Sequence, residues 1–325
     1  MDLSTEYAGL KLRNPLIVSS SKITANVNNI KKCAGMGAGA IVLKSVFEEQ
    51  IMDSIQEKVN KDDMYFWYPE AEEHVKSLSA GQGVREYIGL IKEAKSAVDI
   101  PVIASVNCTG GDRWVDFAGR IEQAGADAVE LNIAVVPYDE HMNCNEIEET
   151  YRNIVRSVVE TISIPVIVKL GFYFSNIVRI SKIIQDAGAR GLVVFNRFYR
   201  PDIDIDSYEI VNHRYLSTPA ELTLSLRWVG LLSGRLDIDL SASTGIHSPD
   251  DVVKQLLAGA ATVQFCSTLY KNGIEQVAKM KEGLERWMDG KGFEKIDDFR
   301  GKVGRDTLQK AAFERIQYIE RSLKP

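Results

Sequence analysis

The sequence predicts an α/β fold, a (β/α)8 TIM barrel with loop excursions on its top face and a C-terminal helical tail. Three observations predict it: eight short apolar runs, helically spaced segments between them, and polar residues gathered where the runs end. Continuous apolar runs suit strands buried on both faces, as in a parallel sheet. A doubly wound open sheet is the alternative, but the GxGxxG turn it would carry after its first strand is missing.

Taken in order, the first run, "PLIVSSS" (15–21), ends in Ser19, Ser20 and Ser21, and the second, "GAIVLKS" (39–45), in Lys44 and Ser45. "PVIASVN" (101–107) ends in Asn107, "DAVELNI" (127–133) carries Asn132, and "PVIVKLG" (165–171) carries Lys169. "GLVVFNR" (191–197) ends in Asn196 and Arg197, "LDIDLSAS" (236–243) in Ser243, and "TVQFCST" (262–268) in Cys266, Ser267 and Thr268. Between them, "VDFAGRIEQAG", "IVRISKIIQDAG" and "PDDVVKQLLAG" have helical spacing and close on glycine, a usual helix stop. Three intervals, 46–82, 137–146 and 198–218, are longer than the rest and should carry the excursions. The last ~35 residues should form the helical tail on the barrel's outside. With no low-complexity linker and no second core, residues 1–325 read as one domain.

A net charge of −6 argues against a nucleic acid or an anionic membrane surface as partner. No apolar run approaches the ~20 residues that span a bilayer. The opening "MDLSTEYAGL" lacks the basic and apolar regions of a signal peptide. Cys33, Cys108, Cys144 and Cys266 form no CxxC pair, which fits a reducing cytoplasm and excludes a zinc or iron–sulfur knuckle carried by this chain alone.

In a (β/α)8 barrel the active site is built at the C-terminal strand ends, so the polar residues should converge on one mouth. Buried amides and ammonium groups need partners, and a ligand could supply them. "SASTGIHSPDD" and "QFCSTLYKNG" each place small residues before a helix, the arrangement with which barrels hold phosphate. Lys169, across the barrel from them, could stabilise a reduced flavin, form a Schiff base with a carbonyl, or serve as a salt-bridged structural lysine.

These residues resemble the dihydroorotate dehydrogenases and the related pyrimidine-reducing flavoprotein subunits over nearly the whole chain. "LKLRNPLIVSSS", "GAGAIVLKS", "AGADAVELN", "PVIVKL", "STGIHSPDDVVKQLLAGAATVQFCSTLYKNG" and "GFEKIDDFRGK" are each similar to the family's motifs. The resemblance implies FMN at the barrel mouth, held by Ser19, Ser20, Lys44, Ser45, Asn107, Asn132, Lys169, Asn196, Gly245, Cys266 and Ser267. It places Lys169 near the flavin's pyrimidine edge, favouring flavin over a Schiff base. It implies Lys44, Asn132 and Asn196 on the substrate side, with Lys44 and Lys169 the catalytic lysines; Arg197, beside Asn196, is a further substrate-side candidate that could recognise a carboxylate or another anion.

The family's base is a cysteine or serine that takes a proton from C5 of dihydroorotate while hydride passes from C6 to flavin N5. Here the text reads "LNIAVVP", and Val135 stands at that position. Loss of a general base typically costs ~10²–10⁴-fold, which should cripple the usual reaction and leave flavin binding intact. Pro137 and Arg197 also depart from the family's pattern, as does "YFWYPEA" in the loop after strand two. Cys144 or His141, expected in the loop beyond strand four, could supply a replacement base. The expectation is therefore an FMN-dependent oxidoreductase of CH–CH donors, cytoplasmic, homodimeric, acting on dihydroorotate or a related anion. Its rivals are a catalytically silent flavin binder and a Schiff-base lyase using Lys169.

Overall fold

The computed structural model describes residues 1–47, 82–108, 115–135, 139–197, 201–211, 215–305 and 313–314. Eight parallel strands close on themselves: β1 (Leu16–Val18), β2 (Ala40–Val42), β3 (Val102–Cys108), β4 (Ala128–Ile133), β5 (Val166–Leu170), β6 (Gly191–Val194), β7 (Asp239–Ser243) and β8 (Thr262–Phe265). Each pairs with the next along the chain and β8 returns to β1, so the fold is the predicted (β/α)8 barrel. The helices are α1 (Val27–Gly35), α2 (Gln82–Ala97), α3 (Val115–Gln123), α4 (Cys144–Thr161), α5 (Ile177–Asp186), α6 (Leu222–Leu232), α7 (Pro249–Ala258), α8 (Ser267–Asn272) and α9 (Gln276–Lys291), with a short turn of helix at Lys302–Arg305.

The strands are apolar on both faces because both faces are covered. Ile17, Val42, Ile103, Ile167 and Val193 point to the axis and form an inner cluster with Tyr7 and Leu12. Leu16, Val18, Ile41, Val129, Val168 and Leu192 point outward to the helices. Tyr7 and Leu12 come from an N-terminal hairpin, Thr5–Tyr7 paired antiparallel with Leu10–Leu12. Its tyrosine reaches the first residue of β6, since a Cβ on Gly191 would sit 3.2 Å from the Tyr7 ring. The barrel's inner cluster is thus closed off from its N-terminal end by the hairpin, and the polar cavity lies toward the strands' C-terminal ends.

Local signals set the helix bounds. Asn176 caps α5, its side chain accepting from the Arg179 N–H at 2.9 Å. Ser248 caps α7 ahead of Pro249, and Gly259 ends the helix at φ +118°. In the excursion after β6, Asp202–Asp204 pairs antiparallel with Glu209–Val211, exposing Ile203, Ile205, Tyr208 and Ile210. Most of the excursion after β2, including "YFWYPEA", lies outside the described residues. Beyond α9, Phe299 packs on Trp287 and Phe293 (ring centroids 4.9 and 5.3 Å apart), and Glu314 pairs with Arg235 at 2.9 Å, beside α6 on the barrel's outer face. No helix among the described residues is long and apolar enough to cross a membrane.

Candidate functional site

The strand registers put three of the expected residues side by side. Asn107 of β3 lies opposite Asn132 of β4, which lies opposite Lys169 of β5. Two residues earlier on the same inward faces, Ser105 lies opposite Glu130; across the barrel Ser243 lies opposite Gln264. Asn107, Asn132, Lys169, Ser243 and Gln264, with Ser19, Ser20 and Ser45 on one side and Asn196, Gly245, Cys266 and Ser267 on the other, surround one cavity of about 460 Å³; Ser105 and Glu130 are not among its lining residues. That is within the usual range for cofactor and substrate sites. Phe47, Tyr215 and Tyr270 supply aromatic wall.

Two hydrogen-bond networks fix this rim. In the first, Ser20 and Ser45 hydroxyls meet at 3.1 Å, Ser45 and Ser105 at 2.8 Å, and the Asn132 amide nitrogen donates to Ser105 at 2.7 Å and to Ser45 at 3.2 Å. The Ser105 backbone is anchored in turn, its N–H donating to the Tyr87 hydroxyl at 2.6 Å while that hydroxyl donates to the Ser105 carbonyl at 2.9 Å. Burial pushes the Tyr87 phenol well above its ordinary range, so it remains a donor. In the second network the Lys169 ammonium donates to Ser19 Oγ at 3.2 Å and lies 3.5 Å from Glu130. The other Glu130 oxygen accepts from Gln264 at 2.6 Å, and Gln264 accepts from Ser19 at 3.3 Å. Lys169 is 6 % exposed and Glu130 fully buried, so this ion pair sits in the barrel's interior with its head toward the cavity.

The β7 and β8 loops form the opposite end. Thr244 and Gly245 both have positive φ, 76° and 81°. At Gly245 a side chain is excluded, because a Cβ would overlap the backbone of Leu222 at the start of α6. The two amides that lead into α7 are not free donors, because the Asp251 carboxylate accepts from His247 N–H at 3.1 Å and Ser248 N–H at 2.9 Å. The lining here comes instead from residues 243–246 and 265–267. The segment before α6 straps across them: Ser217 N–H donates to Ser267 Oγ at 3.0 Å, Lys271 donates to the Ser217 carbonyl at 2.7 Å, and the Ser217 hydroxyl meets His247 Nε2 at 3.1 Å. Burial first, then the Lys271 charge, holds the His247 imidazole below its ordinary pKa.

Four expectations need adjusting. Lys44 is half-buried and engaged, but it does not line the cavity; β2 ends at Val42, alternation lapses beyond it, and Ser45 reaches the cavity instead. Cys144 is not in a loop over the mouth: Asn143 and Glu146 form a reciprocal cap that starts α4 at Cys144, leaving the thiol exposed and outside the cavity lining. His141 is exposed as well. Arg197 lines the cavity, but its Nε donates to Glu221 at 2.9 Å and its Nη1 to the Tyr215 carbonyl at 3.2 Å, so its charge is already paired. Val135 packs half-buried against the core. Pro137, His74 and His213 lie outside the described residues.

Glu130, Gln264, Ser105 and Ser217 were not anticipated. The first three were legible: each is a polar residue inside an apolar run, two positions from a rim residue or on the inward parity. Ser217 carried no such signal, since its place depends on a long connection.

A family model described as dihydroorotate dehydrogenase matches residues 2–288. Among similar proteins, "Dihydroorotate dehydrogenase B (NAD(+)), catalytic subunit" of Thermoplasma volcanium is 29% identical over 92% of this chain and 98% of its own length. The protein of the same name from Pyrococcus furiosus is 27% identical over 93% and 98%. "NAD-dependent dihydropyrimidine dehydrogenase subunit PreA" of Escherichia coli is 22% identical over 94% of this chain and 78% of its own.

Proposed function

The chain belongs to the dihydroorotate dehydrogenase family, and on that premise we propose that it is one FMN-binding barrel unit over residues 1–325, an oxidoreductase of CH–CH bonds. The observation that carries the reading is the row Asn107, Asn132 and Lys169 facing the Gly245 and Ser267 loops across a single cavity. The donor set suits a flavin mononucleotide. Amides and hydroxyls from β1, β3 and β4 match a polar heterocycle edge, an ammonium matches a reduced ring's charge, and the Thr244–Gly245 backbone permits close approach of a phosphate. Ser19, Ser20, Ser45, Asn107, Asn132, Lys169, Asn196, Gly245, Cys266 and Ser267 would hold the group; Lys44, which the resemblance adds, stands outside the cavity lining.

When bound, FMN supplies a two-electron hydride acceptor. The rest falls to the chain. Lys169, charged and held by Ser19, favours negative charge at its end of the cavity. Asn132 and Asn196 offer amides to a substrate on the β4–β6 side, and Arg197 offers a guanidinium whose charge Glu221 already shares. At Val135 no atom can take a proton, so dihydroorotate oxidation should be slow or absent, and a different dihydropyrimidine-like anion is the better substrate class. A catalytically silent flavin binder is the second reading, and the apolar Val135 favours it. The lyase reading is disfavoured because Lys169 is already engaged by Ser19 and by Glu130, and the resemblance favours flavin.

The protein is read as cytoplasmic and homodimeric; the exposed Ile203, Ile205, Tyr208 and Ile210 support self-association, which sedimentation at two concentrations checks. The deciding experiment is an anaerobic titration of purified, FMN-saturated protein. Yellow protein bleached by dihydroorotate or by a dihydropyrimidine supports the oxidoreductase, and yellow protein bleached by neither supports the silent binder. Protein that takes up no FMN ends the reading.

A further inference from the structure

The second polar network in the barrel has a feature that flavin binding by Lys169 alone does not require. Four side chains from four strands close a ring: Glu130 on β4, Lys169 on β5, Gln264 on β8 and Ser19 just beyond β1. The links differ in kind. Gln264 holds one Glu130 oxygen with a 2.6 Å hydrogen bond, a short charge-assisted contact. The other oxygen is buried without any hydrogen bond, although the Lys169 nitrogen lies only 3.5 Å away. The ammonium instead directs one N–H to Ser19 at the cavity rim. The pair is therefore electrostatic rather than hydrogen bonded, and the Lys169 donors stay free to turn toward the cavity.

We propose that Glu130 is the positioning residue and counter-ion of Lys169, and that Gln264, by restraining Glu130, sets how much of the Lys169 charge is felt by a reduced flavin. The proposal rests on the FMN reading above and adds a residue pair that acts on the ligand only through Lys169. Charge carries the argument. An ammonium taken out of water needs a counter-charge; a counter-charge in full hydrogen-bond contact would neutralise it toward the ligand. Gln264 holds the carboxylate between these extremes, close enough to partner Lys169 at 3.5 Å and too far to absorb its field. No other ion pair of Glu130 is present among the described residues, and the neighbouring Tyr7 phenol is kept protonated chiefly by its burial.

The test is the reduction equilibrium of bound FMN, read spectrally against a reference dye at pH 6.5, where an ordinary lysine (pKa ~10.4) is charged. Glu130→Gln is isosteric and removes the counter-charge, so the equilibrium should move at least tenfold toward reduced flavin, about 30 mV upward for a two-electron couple. Gln264→Leu releases the carboxylate to close on Lys169 and should move it at least threefold the other way. Glu130→Gln on a Lys169→Met background should add less than twofold, since a lone buried carboxyl group favours its neutral form. Should Glu130→Gln fail to fold, Glu130→Asp, which draws the carboxylate back by one methylene, should shift in its direction by a smaller factor. Opposite signs for the Glu130 and Gln264 variants are the signature, because structural damage alone would move both the same way. An unchanged equilibrium in Glu130→Gln, or shifts of one sign in both variants, overturns the proposal while the flavin reading stands. A wild-type protein that binds no FMN ends both.

Discussion

Around β1, the Lys169 head group, β7 and β8, polar side chains are locked to one another and to the backbone; beyond β4 and β6, the chain turns apolar after Asn132 or is already paired at Arg197. Ser19, Lys169 and Gln264 have fixed partners supplied by neighbouring strands, and at Gly245 any Cβ would overlap the Leu222 backbone. Ile133, Ala134 and Val135 offer nothing to a reacting atom, and Arg197 is bound to Glu221 before any ligand arrives. A cofactor platform is set by strand register, which changes only if the barrel changes. Substrate recognition is set by the residues just beyond the strands, and there a single replacement alters chemistry without disturbing the fold.

The largest expected effect breaks the locked side. Gly245→Val adds a Cβ where the Leu222 backbone already sits and forces a β-branched residue to φ near +81°. FMN affinity, followed by quenching of flavin fluorescence, should fall at least ~100-fold, with the far-ultraviolet circular dichroism retained. Unimpaired uptake would mean that the β7 loop does not bear on the phosphate.

Next comes a repair of the bare side. Val135→Cys supplies a proton acceptor at the position where the resemblance puts the family's base, and the rate of anaerobic bleaching by dihydroorotate should rise at least ~10-fold, toward the ~10²–10⁴ a general base contributes. No rise would show that the two sides differ by more than one residue, directing attention to Arg197 and Pro137. A smaller change sharpens that point. Glu221→Gln leaves Arg197 its carbonyl contact but removes the competing charge, so the dissociation constant for orotate, a carboxylate, should drop roughly three- to tenfold. An unchanged constant would place the anion elsewhere in the cavity.

The same contrast governs what could be read from the sequence. The eight strands and the ring of polar strand ends were legible because period-2 alternation and apolar runs are local signals. Asn107, Asn132 and Lys169 fell into one row because register follows from those runs. Glu130 and Gln264 stood in plain view, a charge and an amide within apolar strands, yet their meaning depends on meeting across the barrel. Cys144 illustrates the opposite case: the Asn143 and Glu146 cap, itself a local signal, starts α4 at Cys144 and takes the thiol out of the loop. The Ser217 strap depends on the path of a long excursion, which no local pattern encodes.

The smallest expected effect lies beneath the locked side, at His247. Its imidazole is held neutral below its ordinary value of 6.5, first by burial and then by Lys271, and it meets the Ser217 hydroxyl of the strap. In the unfolded chain the same imidazole takes up a proton as pH falls through about 6.5. Below that point the unfolded state binds more protons than the native state, so stability declines as pH falls, and the decline stops once pH passes the lowered native value. His247→Asn keeps a polar partner for Ser217 and removes the titration. Between pH 7.5 and 5.5 the wild-type Tm should therefore fall further than the variant's, by no more than about 3 °C. Identical pH dependence in the two proteins would mean that the strap is anchored by Ser267 and Lys271 without help from a neutral His247, and that the locked side owes nothing to protonation.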